Sequence, residues 1–216
     1  MPLRHGAKMI SPCFDKIGEN NKFDLTELKV SGYEEAEVTI DEVYLDILNN
    51  NGTTAVQYEY IDSPDDDFPA GWYLDYEAVE VGDCPIEAGD GIWVTAEPNF
   101  KFTFAGQVIE EGRAIALRHG ALGVGNMLAR TIDLTELKVT GYEEAEVTID
   151  EVYLDILNNN GTTAVQYEYI DSPDDDFAAG WYLDYEAVSE GDQTFAPAEG
   201  MWVTAEPGFY LEFPDL

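Results

Sequence analysis

The sequence predicts an all-β protein built as two tandem copies of one six- to seven-stranded sandwich or barrel domain. Three observations predict it. The block from Asp24 to Val79 returns from Asp133 to Val188 with only Ser31 to Thr140 and Pro69 to Ala178 changed. Apolar residues alternate with polar ones at the two-residue period of strands. Clusters of Asn, Gly, Pro and Asp punctuate those stretches at short intervals, as turns between strands do.

The most secure element is a hairpin. Val43-Tyr44-Leu45-Asp46-Ile47-Leu48 alternates and is rich in β-formers. Asn49-Asn50-Asn51-Gly52 follows, and Asn-Gly tolerates the positive φ of a tight hairpin turn. Val56 to Ile61 then alternates back. Further strands are expected at Lys8–Cys13, Glu37–Ile40, Trp72–Tyr76, Ile92–Ala96 and Phe100–Val108. The apolar parity slips between Ile40 and Val43, which predicts a turn or bulge at Asp41-Glu42. Asp24-Leu25-Thr26-Glu27-Leu28 predicts one helical turn with Asp24 as N-cap.

The copies also share an opening: Leu3-Arg4-His5-Gly6-Ala7 returns as Leu117-Arg118-His119-Gly120-Ala121. The first copy carries a longer loop after it, from Asp15 to Lys22. These matches place the first domain at 1–110 and the second at 114–216, with the boundary at a short linker near Glu110-Glu111-Gly112-Arg113. A repeat of this length is a domain and not a solenoid unit.

Acidic residues number 45 against 10 basic, for a net charge of −35. Such a surface repels nucleic-acid phosphates and anionic lipid, so neither is expected as a partner. It suits solubility and can attract cations. No run of about 18 apolar residues exists, so membrane insertion is not expected either.

Several groups invite chemistry. The acidic run Asp62-Ser63-Pro64-Asp65-Asp66-Asp67 repeats as Asp171-Ser172-Pro173-Asp174-Asp175-Asp176. Clustered carboxylates on a loop can chelate calcium, although the spacing fits no EF-hand, and a solvated Pro turn is the alternative. The aromatics Tyr58, Tyr60, Trp72, Tyr73 and Tyr76 return from Tyr167 to Tyr185. They suit either a core or a glycan-stacking platform, with Trp72, Tyr73, Trp181 and Tyr182 as the ligand-binding candidates. Cys13 and Cys84 both belong to the first copy and neither returns in the second, which suggests a Cys13–Cys84 disulfide; two separate buried thiols are the alternative. His5 and His119 stand at matched positions with no nucleophile placed near them. No phosphate loop, nucleophile elbow or zinc spacing is present, so no catalytic residue and no cofactor other than calcium is expected.

Ala88-Gly89-Asp90-Gly91-Ile92-Trp93-Val94, followed by Phe102 to Val108, resembles a tandem-repeat β-domain family of secreted and surface proteins from gut-type bacteria. The resemblance implies an all-β fold and an extracellular or cell-surface location, and it carries no activity. The second copy departs from it at Phe213-Pro214-Asp215-Leu216. The opening Met1-Pro2-Leu3-Arg4-His5-Gly6 has no apolar signal core, so that location supposes a leader absent from this sequence.

The expected function is a non-catalytic extracellular tandem module for adhesion, spacing or assembly, since a second copy adds reach or avidity. A carbohydrate- or calcium-binding module of a secreted system is the alternative. Self-association through strand edges is a further expected mode of contact.

Overall fold

The computed structural model describes residues 6–16, 22–33, 38, 42–48, 54–63, 67–96, 100–117, 120–142, 147–148, 151–158 and 162–216. Among them the chain is all-β, with single 3-10 turns and no α-helix. Each copy folds into its own six-stranded antiparallel sheet. In the first copy the order across the sheet is Gly6–Ile10, Ile92–Ala96, Val43–Leu48, Thr54–Ser63, Phe68–Leu74, Glu77–Ala78. The second copy repeats it as Gly120–Gly125, Gly200–Ala205, Tyr153–Leu157, Thr163–Ser172, Phe177–Leu183, Glu186–Ala187.

The hairpin read from the sequence forms as expected, with Leu45 opposite Tyr58. Its Asn-rich turn lies outside the described residues. A register shift falls between Ile47 and Leu48, and again at Ile156 and Leu157. Asp41 lies outside the described residues. The strand expected at Lys8–Cys13 runs instead from Gly6 to Ile10, because Ser11 and Pro12 leave the ladder. That expected at Phe100–Val108 splits into Lys101–Thr103 and Gln107–Val108. Of Glu37–Ile40 only Val38 is described, bridged to Asp62.

One face of each sheet is apolar and is covered by short ribbons. In the first copy Val43, Leu45, Tyr60, Trp72 and Val94 meet Phe23, Leu25, Val30, Ile86 and Phe102 in one buried cluster. Phe23 and Ile86 come from one two-stranded ribbon and Val30 and Phe102 from another. The second copy has an equivalent cluster around Leu134, Leu154, Trp181, Val203 and Leu211. The passage from the first ribbon to the second is fixed by a 3-10 turn, Leu25–Glu27. Asp24 caps it as expected, accepting from the Thr26 N–H at 3.0 Å while Glu27 reaches back to the Asp24 N–H. Leu134–Glu136 repeats this with Asp133.

The two sheets meet at their first strands. Residues of the opening segment return 114 positions later (Gly6 as Gly120), and those from Asp24 onward return 109 later. Ile10 therefore corresponds to Val124, and Asp90 to Glu199. Ile10 bridges Glu199, and Val124 bridges Asp90. The Ser11 N–H donates to the Ala198 carbonyl at 3.1 Å, and its counterpart Gly125 donates to Gly89, the counterpart of Ala198, at 2.9 Å. Each of these backbone contacts thus has a mirror partner, the mark of a local two-fold axis. Beside it Met9, Ala121 and Trp202 form a third buried cluster with Leu48, Trp93 and Leu157 against it. Lys8 and Glu199 pair across the copies at 4.0 Å without a mirror, since Leu122 stands at the equivalent of Lys8, and a bidentate pair ties the linker's Arg113 to Asp15 of the first copy.

Candidate functional site

The hairpin tips of the two sheets carry the features that the fold does not use for itself. Leu74 pairs with Glu77 and leaves a two-residue turn, Asp75-Tyr76, with φ of 50° and 68°. Two successive positive φ values make a type I′ turn, which Asn and Gly fill at no steric cost. A tyrosine there is under backbone strain. Its ring is also in solvent: Tyr76 is 64 % exposed and its counterpart Tyr185, at φ 67°, is 63 % exposed.

The ring is not isolated. Phe68 lies 6.2 Å from Tyr76 and meets Tyr73 edge-on at 5.2 Å. Phe177, Tyr182 and Tyr185 repeat the arrangement at 5.1 and 6.2 Å. Tyr73 and Tyr182 are buried and donate their hydroxyls to the Pro69 and Ala178 carbonyls at 2.6 Å. They hold the base of the patch and do not offer a ring face. In the second copy an open hollow of about 550 Å³ adjoins the tip, lined by Tyr153, Val165, Gln166, Glu168, Leu183 and Tyr185. Exposed acids flank both tips: Asp75 and Glu77, Asp184 and Glu186. Aromatic and apolar surface beside carboxylates suits the faces and hydroxyls of a sugar ring, or a cationic side chain.

The tryptophans belong elsewhere. Trp72 and Trp181 are 4 % and 3 % exposed. Each packs edge-on against a tyrosine, Tyr60 at 5.3 Å and Tyr169 at 5.2 Å. Each indole N–H donates across the core, to Leu28 at 3.2 Å and Leu137 at 2.9 Å. Of the four ligand-binding candidates, then, two are core residues and two are supports. The surface rings beside them are Tyr76 and Tyr185.

The described acids of the two acidic loops are spread over separate roles. Asp62 and Asp171 are buried and pair through their backbones with Val38 and Val147. Each stands by a tyrosine pair: Tyr33 and Tyr60 hydroxyls are 2.7 Å apart, Tyr142 and Tyr169 hydroxyls 3.1 Å. Burial and the neighbouring hydroxyl and carboxylate push the Tyr33 and Tyr142 phenols up. Asp67 and Asp176 are exposed at positive φ. Asp175 accepts from the Ser172 hydroxyl at 2.8 Å, and Asp174 belongs to the 3-10 turn Pro173–Asp175. Asp65, Asp66, His5 and His119 lie outside the described residues. Among the described residues no three His, Cys, Asp or Glu side chains converge as metal ligands.

The expected Cys13–Cys84 disulfide is corrected by the structure: both are free, buried thiols. Their joint absence from the second copy has a separate cause at each position. Cys13 corresponds to Met127, a buried core residue, so the site asks only for apolar volume. Cys84 stands beside the Tyr58 hydroxyl, where Gln193 accepts from Tyr167 at 3.3 Å in the second copy. Burial pushes both thiols up, and it pushes Tyr58 up to about 12.

Asp46 and Asp155 are buried carboxylates within the two sheets. They accept from Gln57 and Gln166 at 2.7 and 2.8 Å, and burial raises both against those bonds. In each copy the acid sits opposite a tryptophan of the third cluster, Trp93 packed against it or Trp202 within it.

Of the sheet edges, the first strand of each copy faces the other copy, and the last is only two residues long. Both devices blunt edge pairing. No described helix is long and apolar enough to cross a membrane. Comparison with protein-family models, curated proteins and solved structures gave no match.

Proposed function

We propose that the chain is a non-catalytic extracellular binding module that presents one aromatic surface twice, serving adhesion or assembly. The observation that carries this reading is the pair Tyr76 and Tyr185. Each is a strained, solvent-facing ring at a hairpin tip, held against a Phe–Tyr pair, and the arrangement recurs in both copies. Strain kept at an exposed position is a cost without a folding return, which favours a contact role. The paired copies favour adhesion and assembly over spacing, because they close on each other instead of extending. The resemblance to secreted repeat units supports the location.

A carbohydrate is the ligand class that the patch suits best, through ring stacking on tyrosine with acids to take sugar hydroxyls. Two equal sites on one body bind a dense surface by avidity, a gain of about 10²–10⁴ over one site. The test is a glycan array, with Tyr76→Ala, Tyr185→Ala and the double variant compared on dense and sparse spots. Either single variant is expected to lose most of the dense-spot advantage, and the double variant to lose binding. Binding unchanged in the double variant would overturn the assignment.

A further inference from the structure

The contact between the copies is reciprocal, and that has a consequence for what can dock on it. Ser11 and Gly125 are equivalent positions and face each other at the local axis. A methyl built on Gly125 overlaps Ser11 Cβ. One step away, a methyl on Gly91 overlaps the Gly123 backbone, and one on Gly200, the counterpart of Gly91, overlaps Met9, the counterpart of Gly123. Both halves of the contact are therefore made with the same geometry. At the axis there is room for one side chain and not two.

We infer that this seam is a self-complementary docking surface whose partner is another copy of the same repeat, with selectivity set by Ser11 and Gly125. The observed first-to-second pairing places one Ser Cβ against a glycine. A second-to-second pairing places Gly125 against Gly125, Gly200 against Gly123, and Val124 against Glu199. All of these fit, since the bulkier Ser11 and Met9 are accommodated in the linked chain. A first-to-first pairing places Ser11 against Ser11, where the two Cβ atoms collide. The chain is thus a fused two-fold dimer, and its second copy is competent to pair in trans once its own first copy is displaced. An isologous contact closes after two copies, so a third has nowhere to add.

The intact chain tests this. Ser11→Arg blocks the first copy's face and leaves the second free. It is to be examined by analytical ultracentrifugation at chain concentrations up to about 1 mM, comparable to the effective concentration that a short linker imposes. Salt of about 0.15 M keeps the screening length near 8 Å, which tempers repulsion between the acidic chains. The expected result is a dimer of twice the 24.0 kDa chain mass. Gly125→Arg, which frees only the first copy's face, is expected to stay monomeric, as is the doubly blocked chain. A monomeric Ser11→Arg chain would overturn the trans docking, and a dimeric Gly125→Arg chain would overturn the selectivity. Thermal unfolding gives a second readout that needs no large side chain. Gly125→Ser alone is expected to lower the melting temperature, and Ser11→Gly with Gly125→Ser to restore it. Failure of the exchange to restore it would overturn the two-fold equivalence.

Discussion

Ser11 and Gly125 sit at equivalent positions in the two copies and each donates its backbone N–H to the other copy, at 3.1 and 2.9 Å. The bonds have ordinary lengths, and the side-chain space between the donors is filled by the serine alone. Gly125→Ala is expected to cost about 1–3 kcal/mol, the usual penalty for inserting a methyl into a packed site. Gly180→Ala is the control, since a methyl there meets nothing closer than 3.9 Å. It is expected to be neutral or to stabilise by about 0.4–1 kcal/mol. Chemical denaturation of the two variants checks both.

Trp72 and Trp181 are structural. Trp72→Phe keeps much of the ring volume and removes the donor to the buried Leu28 carbonyl. A loss of about 1–3 kcal/mol is expected, because that carbonyl is left without its partner. Trp181→Phe is expected to behave likewise through Leu137. Neither change is expected to alter binding at the hairpin tips. Denaturation midpoints together with the glycan assay separate the two effects.

Asp46 and Asp155 are expected to act against stability at neutral pH. Burial raises their folded pKa above the unfolded value. The stability linked to such an acid is fully present below its unfolded pKa and falls as pH rises through the folded one. Asp46→Asn keeps an oxygen for Gln57 and removes the charge. It is expected to raise the melting temperature at pH 7 and to make little difference at pH 3. Asp24 and Asp133 have the opposite sign. Burial raises them, but bonds from Thr26 and Gly82, or from Thr135 and Gly191, outweigh it and hold them below the ordinary range. Their contribution is present above the unfolded pKa and is lost as pH falls through the folded one. Asp24→Ala is expected to cost about 0.5–2 kcal/mol at pH 7, and less in acid. Melting curves from pH 3 to pH 7 check all of these signs.

The two thiols are expected to react slowly in the native chain and fully on unfolding, at two per chain. Burial keeps them protonated and covered. Reductant is expected to leave the melting temperature unchanged. Thiol titration with and without denaturant measures both.

The hairpin, the Asp24 cap and the Ile92–Ala96 strand were legible because each is decided by neighbours in sequence: alternation, a capping residue and a bounded β-rich run. The seam was not. It rests on backbone groups of Ser11, Gly89, Gly125 and Ala198, and no side-chain pattern announces a backbone donor that crosses between copies. The aromatic site was legible only in part. Alternation names Trp72 and Tyr73 together, but the direction each ring faces follows from the core: Trp72 finds Leu28, and Tyr73 finds Pro69. That leaves Tyr76, whose turn takes it off the sheet, as the ring in solvent. The cysteine pairing misled because absence from one copy looks the same whether two residues pair or are replaced separately.

Amide hydrogen exchange at Ser11 and Gly125 in the intact chain tests the closed pairing most directly. If the copies are locked by reciprocal bonds, both amides are protected, to similar degrees, and both lose protection in Gly125→Ser. Exchange of either amide at the rate of an open loop, while the strand amides of both sheets stay protected, would contradict it.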